Sequence, residues 1–337
     1  MATMDRRTFL TRAAVAAGAI GAASVAGEQL LRRRQPRPWN EAAFAPPGTA
    51  RVAVLRATSY DRGLEDVVRD GLLAIGADVR GARVVLKPNL VEFDERTSIN
   101  TDPRLVAAAI VALRRLGAVD VVVGEGPGHR RDTQFVVTSS GLLEALDAVD
   151  ARFVDLNTDE VGRVPLQSRY TALGDLWLPK TITDADVVIS MPKMKTHHWA
   201  GVTLSLKNCF GCVPGRVYGW PKNALHWAGL EQSILDVAAA VRPDYAIVDG
   251  IVGMEGNGPI SGTPVAANVL VFGDDPVATD VIGARLMGFD AGKVAYLSEA
   301  ARFLGQGDRD RIGTEGEDVE RVSTDFAVLP QFASMKA

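Results

Sequence analysis

Four lysines, a histidine pair and several amides and carboxylates sit where the chain would leave a core strand, and these residues have the chemistry to offer. The densest stretch is Pro192-Lys193-Met194-Lys195-Thr196-His197-His198-Trp199, continued by Leu206-Lys207-Asn208. A lysine ammonium binds a carboxylate or phosphate as a point charge, and an imidazole titrates near neutrality and passes a proton. Lys87, Lys193 and Lys207, with Asn89, Glu125 and Asn208, are accordingly read as ligand-binding residues for a small anion. His197 and Lys195 are the acid–base candidates, with Asp249 as orienter. A second reading stays open, in which Glu125, Asp249, Glu255 and Asp280 merely neutralise the lysines in a structural network. Asp249, Glu255 and Asp280 are also the carboxylates that could hold a hard divalent cation, although no spacing demands one. His197, His198 and His226 lack the spacing of a zinc motif.

The elements that must position these residues alternate strand and helix. Residues 185–190 form an apolar, β-branched run too short for a helix, which reads as a buried strand ending at Pro192, where the chain is expected to leave the sheet. If the next residues stay extended, Lys193 and Lys195 share a face and Met194 turns toward the body. The same theme appears earlier, where a strand at 82–87 ends in Lys87-Pro88-Asn89. A strand at 119–123 opens into Gly124-Glu125-Gly126, and one at 244–249 ends at Asp249-Gly250. Helices are expected at 63–75, 102–116 with Asp102 as cap and Pro103 at its first position, 133–146, 223–241, from Pro276 to about 287, and 292–304. The whole predicts an α/β fold, a mainly parallel sheet flanked by helices. Residues 157–182 read as a small β-rich insertion that could lid the site, and 306–337 as a loose polar tail.

The chain has 337 residues, 47% of them hydrophobic, and a formal charge of −4. That supports a substantial core and no nucleic-acid partner. Cys209 and Cys212 are its only cysteines, so a four-cysteine iron–sulfur cluster from this chain alone is excluded. The pair is either a redox couple or two small buried residues. At the start, Arg6-Arg7-Thr8-Phe9-Leu10 and an uncharged Ala/Gly run read as a twin-arginine export signal over 1–27, with the Tat translocase as partner. A basic, proline-broken linker follows over 28–50, a tether to anionic lipid if the signal is retained. The expected location is periplasmic or otherwise extracytoplasmic.

Six motifs recur together in order: Lys87-Pro88-Asn89, Gly124-Glu125-Gly126, Pro192 to His197, Leu206-Lys207-Asn208-Cys209-Phe210-Gly211, Asp249-Gly250 with Gly258-Pro259, and Asp275-Pro276-Val277-Ala278-Thr279-Asp280. In these the chain resembles domain-of-unknown-function family 362, over roughly residues 50–290. The resemblance implies no particular reaction. Many members carry a ferredoxin-like module with two four-cysteine clusters, and this chain lacks it. Two functions stay open: an exported enzyme acting on a small anion, or an envelope protein that holds a ligand or assists a redox partner.

Overall fold

The computed structural model describes residues 37–44, 48–61, 63–128, 132–220 and 222–337. The twin-arginine segment and most of the linker lie outside the described residues. Contacts separate residues 1–40 from 41–337, and everything below concerns the latter. Among the described residues no helix is long and apolar enough to cross a membrane.

In chain order the strands are β1 (Ala50–Arg56), β2 (Arg83–Pro88), β3 (Asp120–Glu125), β4 (Arg152–Asp155), β5 (Val161–Val164), β6 (Leu176–Pro179), β7 (Val187–Met191), β8 (Lys193–His197), β9 (Gly201–Thr203), β10 (Tyr245–Glu255), β11 (Thr263–Val265), β12 (Val269–Gly273) and β13 (Ile312–Gly316). The main sheet runs β13-β1-β12-β10-β7-β2-β3-β4, with β8 and β11 attached to β10 and β9 to β8. On that path only β12 opposes its neighbours, so the sheet is mainly parallel, as the sequence leads one to expect. The chain lays β2, β3 and β4 outward, then crosses back to set β7 on the other side of β2. Strand order therefore reverses between β2 and β7. A crevice opens outside the carboxyl ends of two such strands, and open α/β sheets place ligands there.

Helices 64–74, 103–115, 133–139 and 142–147 bury their apolar stripes against one face, where Leu86, Val123, Ile189, Ile247, Leu270 and Phe272 meet them. The alternate residues Val248, Val269 and Val271 are equally buried and point the other way, as the period of a strand requires. Helix Pro103–Arg115 starts where expected, with the Asp102 carboxylate accepting from Arg104 N and Pro103 at the first position. Asp275 does the same for helix Pro276–Leu286, accepting from Val277 N and Ala278 N.

Several elements differ from the sequence reading, each for a local reason. The helix expected over 133–146 is two, broken where Gly141 takes φ 75°, and that over 223–241 is broken at Gly229 with φ 100°. A right-handed helix cannot pass through a positive φ. The helix expected over 292–304 shrinks to Ala295–Ala300, preceded by a 3-10 turn. The chain does not leave the sheet at Pro192. Asp249 N donates to Pro192 O at 2.8 Å, and the eleven-residue β10 pairs first with β7 and then with β8, with a register shift between. Proline is tolerated there because β2 ends opposite Met191, leaving no neighbour on that side to receive an N–H. Residues 306–337 are not a loose tail. β13 pairs with β1, and Ile312, Val319, Val322 and Phe326 are buried.

Candidate functional site

A cavity of about 680 Å³ occupies the crevice at the reversal of strand order. Its floor comes from the ends of β2 and β3 (Lys87, Asn89, Glu125), and one wall from β8 and β9 (Lys195, His197, Thr203). The opposite wall is the segment after β9, with Lys207, Asn208, Phe210, Lys222, His226 and Trp227. Residues 157–182 do form the β5–β6 hairpin, but none of them lines the cavity, so they are not its lid. Trp199, Phe210, Lys222, His226 and Trp227 line it instead.

The five lysines of this region divide by their partners. Lys87 Nζ lies 2.5 Å from Glu125 Oε2 and also donates to Pro88 O at 2.9 Å and Asn208 Oδ1 at 3.0 Å. Glu125 is completed by Leu90 N and Gly126 N. This pair is saturated, as burial demands. Lys193 is likewise locked, 2.6 Å from Asp249 Oδ2 and bonded to Tyr60 Oη and Val252 O. Asp249 takes two more bonds, from Tyr60 Oη at 2.6 Å and Asp102 N at 3.0 Å. Neither Lys193 nor Asp249 lines the cavity, and the two neutralise each other as a buried ion pair. Asp249 has no free oxygen with which to orient a catalytic group.

Lys195, two residues on, pairs with no carboxylate among the described residues. Its Nζ donates to Ile99 O at 2.8 Å and Pro259 O at 3.3 Å, and burial, with Lys193 and Lys207 nearby, holds its pKa well below the usual lysine value. Lys222 spends its protons on the carbonyls of Gly126, Phe210 and Gly211, and burial brings it down to about 8. Lys207 is the exception. Among the described residues its ammonium makes no hydrogen bond or ion pair, and it sits only over the Phe210 ring, 3.9 Å from the centroid. Burial of its amine, with Lys87 and Lys222 close by, lowers it to about 7, although the side chain as a whole remains partly exposed in the cavity. Such an amine titrates where a cell lives.

The histidines are sorted by their hydrogen bonds. Trp199 N and Ala200 N, at 3.1 and 3.2 Å, both donate to His197 Nδ1. That nitrogen must carry the lone pair, so the proton of the neutral ring is on Nε2. Burial first, then Lys207, hold the His197 pKa well below its ordinary value. His197 is thus a neutral hydrogen-bond donor rather than the acid or base read from the sequence. His198 Nδ1 instead faces Gly258 O at 2.7 Å and His226 Nδ1 faces Lys222 O at 3.3 Å. A carbonyl only accepts, so on both rings Nδ1 is the donor; burial lowers the His226 pKa, which leaves its Nε2 with the lone pair.

The remaining candidates fall apart in space or in role. Asp280 accepts from Ser205 N and Leu206 N, starting the helical turn that carries Lys207, and burial raises its pKa to about 8. Glu255 accepts from Ala327 N. Among the described residues no three His, Cys, Asp or Glu side chains gather as metal ligands, so Asp249, Glu255 and Asp280 do not share a site. Cys209 and Cys212 are free, buried thiols; burial raises both, Cys212 to about 12, which suits two inert packing residues.

Of the ligand-binding set, then, Lys87, Asn89, Glu125, Lys207 and Asn208 come together with Lys195 and His197, and Lys193 does not. Two buried polar atoms of the lining, Asn89 Oδ1 and Thr203 Oγ1, lack a partner among the described residues. Sequence reasoning missed Lys222, which enters from a loop at φ 65° with no periodicity to announce it. Trp199 lay at the end of the stretch singled out but was given no role, and Trp227 was missed.

These residues belong to a recognisable lineage. The chain is 32% identical over 265 residues to a thylakoid-associated protein of Synechocystis sp., covering 75% of this chain and 79% of that one. Among solved structures it aligns with the lactate racemase apoprotein of Thermoanaerobacterium thermosaccharolyticum at 14% identity and a TM-score of 0.46. That alignment takes in 72% of this chain and spans 57% of the other. Residues 84–285 match the family DUF362, a domain of unknown function, and the chain belongs to that family.

Proposed function

We propose that the cavity binds a small carboxylate- or phosphate-bearing ligand, with Lys207 as its charged anchor. The observation that carries this is an amine with no hydrogen bond or ion pair among the described residues, in a cavity lined by four lysines and one carboxylate, its pKa brought to about 7 by burial and by Lys87 and Lys222. An incoming oxoanion would supply the missing counter-charge. His197 Nε2–H is a second donor, and the Nε2 lone pair of His226 accepts a hydrogen bond from the ligand.

Inorganic phosphate or pyruvate at a hundredfold excess over its dissociation constant should stabilise the native state by about 2.7 kcal/mol, a rise of roughly 3–6 °C in melting temperature. Lys207→Met should abolish that rise and leave the protein folded. The sign with pH follows from the lowered pKa. The unfolded chain binds the Lys207 proton up to about 10, the folded chain only below about 7. The apo protein therefore loses stability as pH falls toward 7, and Lys207→Met should be the more stable form at pH 6 by about 1–2 kcal/mol, less at pH 10. Anion binding should strengthen over the same fall. An anion response that survives in Lys207→Met defeats the reading.

The protein is further proposed to work outside the cytoplasm. The Arg6-Arg7 signature supports this. Changing both arginines to lysine should leave folded protein in the cytoplasm, as fractionation of expressing cells would report. Export of that variant at the wild-type level would refute the assignment.

A further inference from the structure

An anion alone does not account for the cavity mouth. Beside Lys207, the Phe210 ring lies 6.0 Å from His226 at 74°. His226 lies 5.7 Å from Trp199 at 70°, and Trp199 is 4.5 Å from His198 at 76°. The rings form a connected path from the amine outward. All of them line the cavity, as does Trp227. The two indoles are 62% and 83% exposed, so their faces are left largely without protein contact. Tryptophan is the side chain with the most surface to gain from a stacked partner. A volume of about 680 Å³ also lies in the range of sites for organic molecules rather than single ions.

We propose that the ligand joins an oxoanion to a flat ring system, with the anion at Lys207 and the ring stacked among Trp199, His226 and Trp227. This rests on the anion-binding reading above and narrows it to one ligand class. Edge-to-face neighbours such as His198 and His226 would hold the Trp199 indole upright, presenting a face to the incoming ring. The chemistry is shared by a nucleoside phosphate and by an aryl carboxylate.

The test compares ring-bearing and ring-less anions in matched pairs: adenosine 5′-monophosphate against ribose 5-phosphate, and benzoate against acetate, with inorganic phosphate as reference. Affinity is read from tryptophan fluorescence and from the melting temperature. We expect at least one ring-bearing partner to bind ten or more times more tightly than its ring-less mate, and the pair showing the gain identifies the head group. Trp199→Ala combined with Trp227→Ala should remove the gain while the response to inorganic phosphate persists. Both residues are exposed, so the double variant should keep the wild-type melting temperature without ligand. Equal binding of both members in both pairs, or a gain that survives the double variant, overturns the ring proposal and leaves the anion reading standing. If no anion binds, inorganic phosphate included, both fall together.

Discussion

Lys193→Met is expected to cost roughly 3–5 kcal/mol of folding stability, the range for removing one partner of a buried ion pair. Among the described residues its Nζ is the only cation paired with Asp249, 2.6 Å away, and both side chains are fully buried. What remains to Asp249 is the Tyr60 hydroxyl and one backbone N–H. Without the ammonium a buried carboxylate is left with no counter-charge, which is where the cost arises. The urea midpoint measures this directly. Lys193→Met with Asp249→Leu should recover much of the loss, because no charge is then left unpaired. A loss under about 1 kcal/mol, accompanied by loss of the anion response, would return Lys193 to the ligand-binding set.

Gly211→Ala should be nearly as damaging and, unlike Lys193→Met, should remove ligand binding too. A Cβ on Gly211 would lie 1.9 Å from Glu125 Oε1 and 2.3 Å from Lys87 Nζ. Those are side-chain tips, and elsewhere they would swing aside. Here Glu125 is held by Leu90 N and Gly126 N and Lys87 by Pro88 O and Asn208, so relief means opening the buried pair. The cost is again about 3–5 kcal/mol. It falls on the floor of the cavity beside Lys207. Melting temperature with and without phosphate separates the two consequences. A variant that melts like the wild type would show that the turn at 209–212 can move away from the pair.

How much of this was legible in the sequence depends on how local the cause is. Val187–Met191 reads as a buried strand from its own residues, and Asp102-Pro103 and Asp275-Pro276 announce helix starts within four residues. Lys87, Lys193, Lys195 and Lys207 were all expected near one sheet edge, because parallel strands deliver their carboxyl ends there, and of these Lys87, Lys195 and Lys207 line the cavity while Lys193 does not. The edge strand β13 was not. Ile312-Gly313-Thr314-Glu315-Gly316 carries one buried apolar residue, and its pairing with β1 is made by the backbone, which leaves no mark in side-chain pattern. Gly141 and Gly229 likewise interrupt apolar stripes that continue on both sides of them.

The sequence by itself determined which chemistry is present: an α/β sheet whose strand ends carry amines, amides and imidazoles, with too few cysteines to hold a four-cysteine cluster. Only the tertiary structure decided which amine is free. Lys193 and Lys195 stand two apart on one strand, yet the first opposes Asp249 across β10 and the second, past a register shift, opposes Met254. Lys207 and Lys222 differ as sharply, one facing an open cavity and the other three carbonyls. The physical reason is that ionisation, tautomer and reactivity are set by atoms within a few ångströms, and nearly all of these come from segments distant in the chain.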